Sequence, residues 1–325
     1  MTTRPRIIVS VPVPDDLRAE LAARFDIVDV PVGARPADAL SAEVRADIEG
    51  QLISPRTLVN EDLMQSLPRL RASSNFAVGF DNVDLAAANK HKVLICNTPN
   101  VLNGAVADLT LGLMICLARN LVAGDAFVRS GAWTRGPFPL TTDIRGKTFG
   151  LLGMGRIGRE VARGAAKAFD MKVIYHNRRR DEETEAQGLA SYVDRDTLFR
   201  EADFLSVLVP LTPETRHSVG AREFGMMKPT AFLINTARGA VLDEAALIEA
   251  LKSGEIAGAG LDVMETEPLP ADSPLCSLPN VVLQAHIGSA THETRRAMIE
   301  LAVYNLINAL TGVRPTAMVN PELWA

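Results

Sequence analysis

The sequence predicts an α/β protein of two domains, one built on a doubly wound parallel sheet and the other a smaller α/β unit split in the chain. Three observations predict it. Apolar runs of strand length alternate with helical apolar spacing along almost all of the 325 residues. A glycine turn, Gly153, Gly155 and Gly158, stands between a strand and a helix near the middle of the chain. Four later strands end at once in polar or special residues, and the stretch left after the last is too short for a domain of its own.

In the N-terminal part, Ile7 to Val11 reads as a short buried strand, and Asp15 to Phe25 as a helix with apolar spacing at Leu17, Leu21 and Phe25. Strand-like runs recur at Ile27 to Val30, Gln51 to Ser54, Leu70 to Ser73 and Val93 to Cys96, with helical patterns between them. This is a small parallel sheet of flavodoxin-like type, without a phosphate loop of its own. Asn75 to Asp84 (NFAVGFDNVD) is a polar, glycine-bearing loop just past a strand. There Val78 and Gly79 can offer bare N–H groups to an anion, although an ordinary loop has the same composition. Beyond Asn97, Thr98 and Pro99, the apolar helical pattern Ala105 to Arg119 carries the chain into the next domain. Asn120 to Arg145, with Gly131, Trp133, Gly136, Pro137 and Pro139, reads as an irregular arm of the kind that packs on a partner subunit.

The central stretch, Phe149 to Arg180, reads strand, glycine turn, helix, strand. That context turns a bare GxGxxG into a dinucleotide-binding Rossmann signature. Gly153 permits the tight turn, Gly155 lets the backbone approach a pyrophosphate, and Gly158 lets the helix pack closely on the strand. The anion then rests on the helix N-terminus. At the end of the second strand, where an NAD enzyme usually carries an acidic residue for the ribose, this chain has Asn177, Arg178, Arg179 and Arg180. Guanidinium groups grip phosphate oxygens two at a time, so the stretch predicts NADP(H) as the preferred cofactor, with NAD(H) as a second possibility. The competing account is a solvated charge run, since Asp181, Glu182, Glu183 and Glu185 follow and can pair with the arginines.

Four more apolar runs follow, Phe204 to Val209, Ala231 to Ile234, Ala259 to Leu261 and Val281 to Gln284, giving a six-stranded sheet. They end at Pro210, at Asn235 to Gly239 (NTARG), at Asp262 and at His286. Ligands of open parallel sheets bind beyond the carboxyl ends of the strands, so Arg238, Asp262 and His286 are expected at the nicotinamide end of the cofactor. The remaining tail, with helical spacing from Met298 to Leu310 and a stop at Gly312, is expected to pack back on the N-terminal unit. The domains expected are therefore 1-99 with 288-325, substrate-binding, and 100-287, NADP-binding, with a hinge and an active-site cleft where the chain crosses.

Composition narrows the class. Hydrophobic residues make up 47% and aromatics 5%, an Ala/Val/Leu-rich globular profile, and the net charge of −5 argues against nucleic acid as the main partner. Cys96, Cys116 and Cys276 are widely spaced and read as small buried hydrophobes in a reducing compartment, with no metal site expected. Met1 to Arg6 shows no signal-peptide pattern, and Leu109 to Ala118 is too short to span a bilayer. The expectation is a cytoplasmic protein with no membrane partner.

A nicotinamide enzyme must orient its substrate, stabilise developing charge and supply one proton. Arg238 suits the first two tasks through its permanent charge and fork of donors. Of the five histidines, His286 is the one at a strand end suited to the proton, whereas His91, His176, His217 and His292 are ordinary solvated positions. A neighbouring carboxylate would keep it charged, and both Glu265 and Glu267 are candidates that pattern alone does not separate.

GLLGMGRIG, LVPLTPET, INTARGAVLDE, GLDVMETEPLP and LQAHIGSATHETR, in this order, resemble the D-isomer-specific 2-hydroxyacid dehydrogenases, and VGFDNVD extends the resemblance to nearly the whole chain. The arginines after the second strand and the HIGSAT stretch are most similar to the NADPH-dependent glyoxylate/hydroxypyruvate reductases of that family. The resemblance implies catalytic roles for Arg238 (substrate), Glu267 (partner of the histidine) and His286 (acid/base). It implies that Val78 and Gly79 join Arg238 and His286 in binding the substrate. Along the cofactor it implies Gly153, Gly155, Arg156, Ile157, Gly158, Asn177, Arg178, Arg179, Val209, Pro210, Thr215, Thr236, Ala237, Arg238, Asp262, His286 and Gly288. The activity implied is NADPH-dependent reduction of small 2-oxo acids to D-2-hydroxy acids by a homodimer. Other D-2-hydroxyacid or phosphite-type oxidation, or a non-catalytic nucleotide-sensing protein on the same fold, are the alternatives.

Overall fold

A computed structural model describes residues 4–324. The chain divides into two compact units, Met1–Val101 with His292–Ala325, and Leu102–Thr291.

The first unit is built on five parallel strands, β1 (Arg6–Val9), β2 (Asp26–Asp29), β3 (Ile48–Ile53), β4 (Ala72–Asn75) and β5 (Leu94–Cys96), in the order β2-β1-β3-β4-β5. This is the flavodoxin-like order. Both faces are covered, which is why the strands read as short continuous apolar runs. On one face the helix His292–Thr311 lays Ala302, Val303 and Leu306, all fully buried, against Ile7, Val9 and Leu52. Gly50 makes room for it, since a Cβ there would stand 2.6 Å from Leu310 Cδ1 and 3.2 Å from Ile7 Cγ2. Ser74 Oγ donates to Ala302 O at 2.7 Å. The helix ends at Gly312, whose φ of +80° a side chain would oppose. On the other face Ile8, Ile48, Ile53, Leu63, Met64 and Ile95 form a second core.

β4 lies two residues later than apolarity suggests. Its sequence, ASSN, is polar and entirely buried, and its side chains find partners inside the unit, such as Gln51 Nε2 donating to Ser73 Oγ at 2.9 Å.

The second unit holds β6 (Thr148–Leu152), β7 (Lys172–His176), β8 (Ser191–Tyr192), β9 (Phe204–Val207), β10 (Phe232–Asn235), β11 (Gly258–Leu261) and β12 (Val281–Leu283), all parallel, in the order β12-β11-β10-β9-β6-β7-β8. The sheet has seven strands and not the six expected, because the edge strand β8 is two residues long and carries no apolar period. Strand order reverses between β6 and β9, the switch point at which such sheets bind ligands. The helices Asn103–Arg119 and Arg156–Phe169 pack together on one face, where Gly164 leaves space for Leu111.

Residues 120 to 145 depart from the irregular arm expected. Asn120, at φ 50°, ends the helix Asn103–Arg119, and a second helix, Leu121–Arg129, leaves at 57° to it. That helix buries none of its residues, so it carries no core-facing stripe for a pattern to reveal. Cys276 is exposed and Cys116 half-buried, so only Cys96 is the buried hydrophobe expected of all three; Cys276 follows Pro274 in a one-turn 3₁₀ helix on a surface loop. No single helix among the described residues is long and apolar enough to cross a membrane.

Truncating Leu306→Ala should destabilise the protein by about 2–5 kcal/mol, seen as a lower urea midpoint. A loss under about 0.5 kcal/mol would take this helix out of the first unit's core.

Candidate active site

The glycine turn joins β6 to the helix Arg156–Phe169, and two of its glycines are required by the chain itself. Gly153 sits at φ +109°, and a Cβ there would meet Leu208 C and Val209 N at 2.9 Å. A Cβ on Gly158 would stand 2.7 Å from Gly153 O. Gly155 differs. Its φ is −96°, a Cβ there would meet nothing within 4 Å, and no side chain caps the helix it begins. Nothing within the chain requires glycine at 155, so the bare backbone and uncapped N–H groups fit the approach of an outside anion such as a pyrophosphate. Arg156 and Ile157 form the first turn of the same helix.

Past β7 three of the four acidic residues, Asp181, Glu183 and Glu185, are already committed. Arg159 binds Asp181 at 2.7 Å and Glu183 at 2.8 Å, and Arg180 binds Glu185 at 2.5 Å with its guanidinium 5.5 Å from the Tyr192 ring centre. The charge-run account therefore holds for Arg180. Arg178 and Arg179 are exposed and form no ion pair among the described residues, and Asn177 Nδ2 ties the turn by donating to Arg179 O at 3.1 Å.

The loops after β9 and β10 are braced from within. Past Val209, Thr215 Oγ1 donates to Pro210 O at 2.6 Å and accepts from Thr212 N at 2.8 Å. Asn235, the buried last residue of β10, donates to Arg238 O and accepts from Ala237 N, each at 3.0 Å. Thr236 Oγ1 is 2.9 Å from Thr110 Oγ1. Arg238 is half-buried, with Nη1 donating to Ala237 O at 2.8 Å. Gly239 lies so close to the next loop that a Cβ would fall 1.9 Å from Met264 C. Backbone against backbone, this contact sets Arg238 beside the segment that carries Glu267.

Asp262, following β11 and only 1% exposed, grips the segment after β12. Its backbone oxygen accepts from His286 N at 2.8 Å, and its carboxylate accepts from Ile287 N at 2.7 Å and Gly288 N at 2.9 Å. Burial pushes this carboxyl above its usual range, against the two N–H groups that favour the ionised form. A Cβ on Gly288 would stand 3.1 Å from Asp262 Oδ2. His286 itself is held at φ 55°, in the left-handed region.

The two glutamates separate cleanly. His286 Nδ1 lies 2.7 Å from Glu267 Oε2, and Glu267 Oε1 accepts from Met264 N at 3.1 Å. Glu265 Oε1 instead lies 2.6 Å from His217 Nε2, so His217, exposed as expected, is also paired. These partners stand far apart in the sequence, which is why no pattern announced the pair. Burial works against ionised Glu267, but the hydrogen bond and charge of His286, the Met264 N–H and the charge of Arg238 hold its carboxyl below the usual range. An ionised carboxylate only accepts, so Nδ1 carries the proton and Nε2 is left for other chemistry. The site thus has one permanent cation, one titratable ring and one carboxylate that orients that ring.

Val78 and Gly79 lie in the first unit, in the loop after β4. Their carbonyls are taken up inside it, Val78 O by Asn97 Nδ2 at 2.8 Å and Gly79 O by Asn75 Nδ2 at 3.0 Å.

Known proteins resemble this chain in sequence and fold. Residues 111–288 match the model of the D-isomer specific 2-hydroxyacid dehydrogenase, NAD binding domain. The glyoxylate/hydroxypyruvate reductase B of Citrobacter koseri is 48% identical over 98% of this chain and 99% of its own. Among solved structures, an NADPH-dependent glyoxylate/hydroxypyruvate reductase from Sinorhizobium meliloti in complex with NADP and malonate superposes with a TM-score of 0.88, at 36% identity over 98% of this chain and 97% of that one. A glyoxylate reductase from Paecilomyes thermophila gives 0.89, at 34% identity over 99% of this chain and 100% of that one.

Since the Glu267 carboxyl is held below its usual range, its contribution to stability is present above the unfolded-state value and lost as pH falls through the folded one. Urea midpoints should favour the wild type over Glu267→Gln at about pH 7, with the gap closing between about pH 5 and about pH 3. A gap that stays constant with pH would mean the carboxylate is not ionised in its pair with His286.

Proposed function

The chain belongs to the D-isomer specific 2-hydroxyacid dehydrogenase family, oxidoreductases acting on CH–OH groups, and from that premise we propose that it reduces small 2-oxo acids of the glyoxylate/hydroxypyruvate type to D-2-hydroxy acids with NADPH. The observation that carries the reading is the Glu267–His286 pair at 2.7 Å beside Arg238, at the carboxyl edge of a sheet whose glycine turn leaves bare backbone at Gly155. Support for the substrate class comes from the relatives named reductases of glyoxylate and hydroxypyruvate.

Gly153, Gly155, Arg156, Ile157 and Gly158 hold the pyrophosphate of the cofactor. Arg178 and Arg179, with Asn177, hold the ribose 2′-phosphate, and NAD(H), which lacks it, binds more weakly. Val209, Pro210 and Thr215, then Thr236 and Ala237, line the cofactor along the strand ends, and Asp262 and Gly288 shape its nicotinamide end. The bound nicotinamide supplies the hydride.

Within the first unit, the N–H groups of Val78 and Gly79 receive the substrate carboxylate. Within the second, Arg238 polarises the carbonyl and offsets the negative charge that grows on its oxygen. His286 donates from Nε2 to that oxygen, because Nδ1 is engaged by Glu267 and the ring therefore presents only one free nitrogen. Glu267 fixes the orientation of the ring throughout.

The functional form in this reading is a cytoplasmic homodimer. No residue of the helix Leu121–Arg129 is fully buried, and Leu121, Val122, Val128, Trp133 and Leu140 are exposed large apolar side chains that a second copy would cover.

His286→Ala should lower kcat for glyoxylate by about 10²-fold or more while the NADPH dissociation constant stays within about threefold. A variant that turns over at the wild-type rate would end the acid/base assignment. Arg178→Ala combined with Arg179→Ala should cut the ratio of kcat/KM with NADPH to that with NADH by about tenfold or more, each lost phosphate contact being worth roughly 1.5–3 kcal/mol at most. An unchanged ratio would return both arginines to the solvated surface.

A further inference from the structure

In the loop after β4, every carbonyl from Ala77 to Gly79 is pulled the same way. Ala77 O accepts from Thr98 N at 2.8 Å, Val78 O from Asn97 Nδ2 at 2.8 Å, and Gly79 O from Asn75 Nδ2 at 3.0 Å. All three donors stand at the carboxyl ends of β4 and β5. The peptide bonds here are trans, the single cis bond among the described residues being Glu267–Pro268. In a trans peptide the N–H points opposite to the carbonyl of the same plane. Fixing these three carbonyls inward therefore aims the N–H groups of Val78, Gly79 and Phe80 outward, and none of the three donates to any described group.

The two asparagines have little freedom to do otherwise. Asn75 is fully buried, and its amide nitrogen serves Gly79 O and, at 3.1 Å, Asn82 Oδ1. Its own oxygen has no partner among the described residues. Turning the amide over would set that oxygen against two acceptors, so the donor orientation is the only one compatible with its neighbours. Asn82 is fixed in turn by donating to Thr57 O at 2.8 Å. Asn97, 9% exposed, has its backbone oxygen held by Asn305 Nδ2 at 3.2 Å. A buried acceptor left without a partner is a cost, and here it accompanies donors spent on a loop carbonyl.

We infer that Asn97 and Asn75 are positioning residues for substrate binding, which orient the 77–80 peptides so that three N–H groups, with Phe80 the third, form a concave anion site for the substrate carboxylate. The inference rests on the reading that this loop receives the carboxylate. It adds which side chains create the site and which further N–H belongs to it.

Asn97→Leu keeps the size and removes the donor. Steady-state kinetics should show KM for glyoxylate rising by about tenfold with kcat and the NADPH dissociation constant changing far less, the loss of one buried donor being worth about that factor. A purely structural role would lower melting temperature and kcat together and leave KM alone. Selective ¹⁵N labelling of valine, glycine and phenylalanine in the NADP-bound protein, titrated with oxalate, separates the two layers of the reading. The Val78, Gly79 and Phe80 amides should shift in the wild type, and the same shifts in Asn97→Leu should need about tenfold more oxalate. Wild-type amides that do not move would remove the carboxylate from this loop altogether. Wild-type amides that move, with an unchanged oxalate affinity in Asn97→Leu, would leave the loop its role and overturn the assignment of Asn97. If leucine is not accommodated, Asn97→Ala is read by the same two measurements.

Discussion

The second unit depends on the hold of Asp262 over residues 286 to 288. One residue supplies three acceptors, its backbone oxygen and both carboxylate oxygens, to three successive N–H groups. Those N–H groups follow β12 and have no further strand to pair with, so an acceptor must be brought to them. The hold keeps His286 in the left-handed region, a conformation that a histidine leaves unless the surroundings over-determine it. From there its ring meets Glu267, whose segment is pressed against Gly239 and so against the loop of Arg238. The three groups that carry the proposed chemistry therefore share one chain of contacts, and Asp262 anchors it. Its burial, which disfavours its charge, is the cost of making that anchor rigid.

Segregation of charge follows from the same packing. Two histidines and two glutamates lie on neighbouring loops, and they form two pairs without crossing, His286 with Glu267 and His217 with Glu265. Glu267 is also fastened to Met264 N, and Glu265 N is fastened to Glu244. The Met264 N–H thus helps aim the Glu267 carboxylate at His286, and the charge of Arg238 helps keep Glu267 ionised. The same pattern appears past β7, where Arg159 and Arg180 pair with Asp181, Glu183 and Glu185 while Arg178 and Arg179 stay exposed.

Much of this was legible from the chain alone, and the boundary has physical causes. Apolar runs place eleven of the twelve strands because a strand covered on both faces must be apolar throughout; β8, with two residues, gives no such run. The polar interior of β4 shifted its expected position, since burial of ASSN is set by partners on β3 and on the helix His292–Thr311 that no local window contains. The helix Leu121–Arg129 was invisible for the opposite reason, having no fully buried residue. Residue type and strand end announced Arg238 and His286, while the choice between Glu265 and Glu267 needed geometry, or a resemblance, to be made.

A common device underlies both units, and it is visible once the loops are compared. Asn75 is the last residue of β4 and Asn97 follows β5; Asn235 is the last residue of β10 and Asp262 follows β11. Each is buried, and each spends its side chain on the backbone of a loop at the carboxyl edge. A parallel strand that stops leaves its next peptide groups without a ladder, and a short polar side chain at the strand end is the nearest group able to pair with them. Asn75 and Asn97 donate to loop carbonyls and turn them inward, while Asn235 both donates to Arg238 O and accepts from Ala237 N. Aspartate accepts where the loop must turn its N–H groups inward and present a side chain. The carboxamides of Asn75 and Asn97 thus hold loop carbonyls in the first unit, while the carboxylate of Asp262 holds the N–H groups beside His286 in the second.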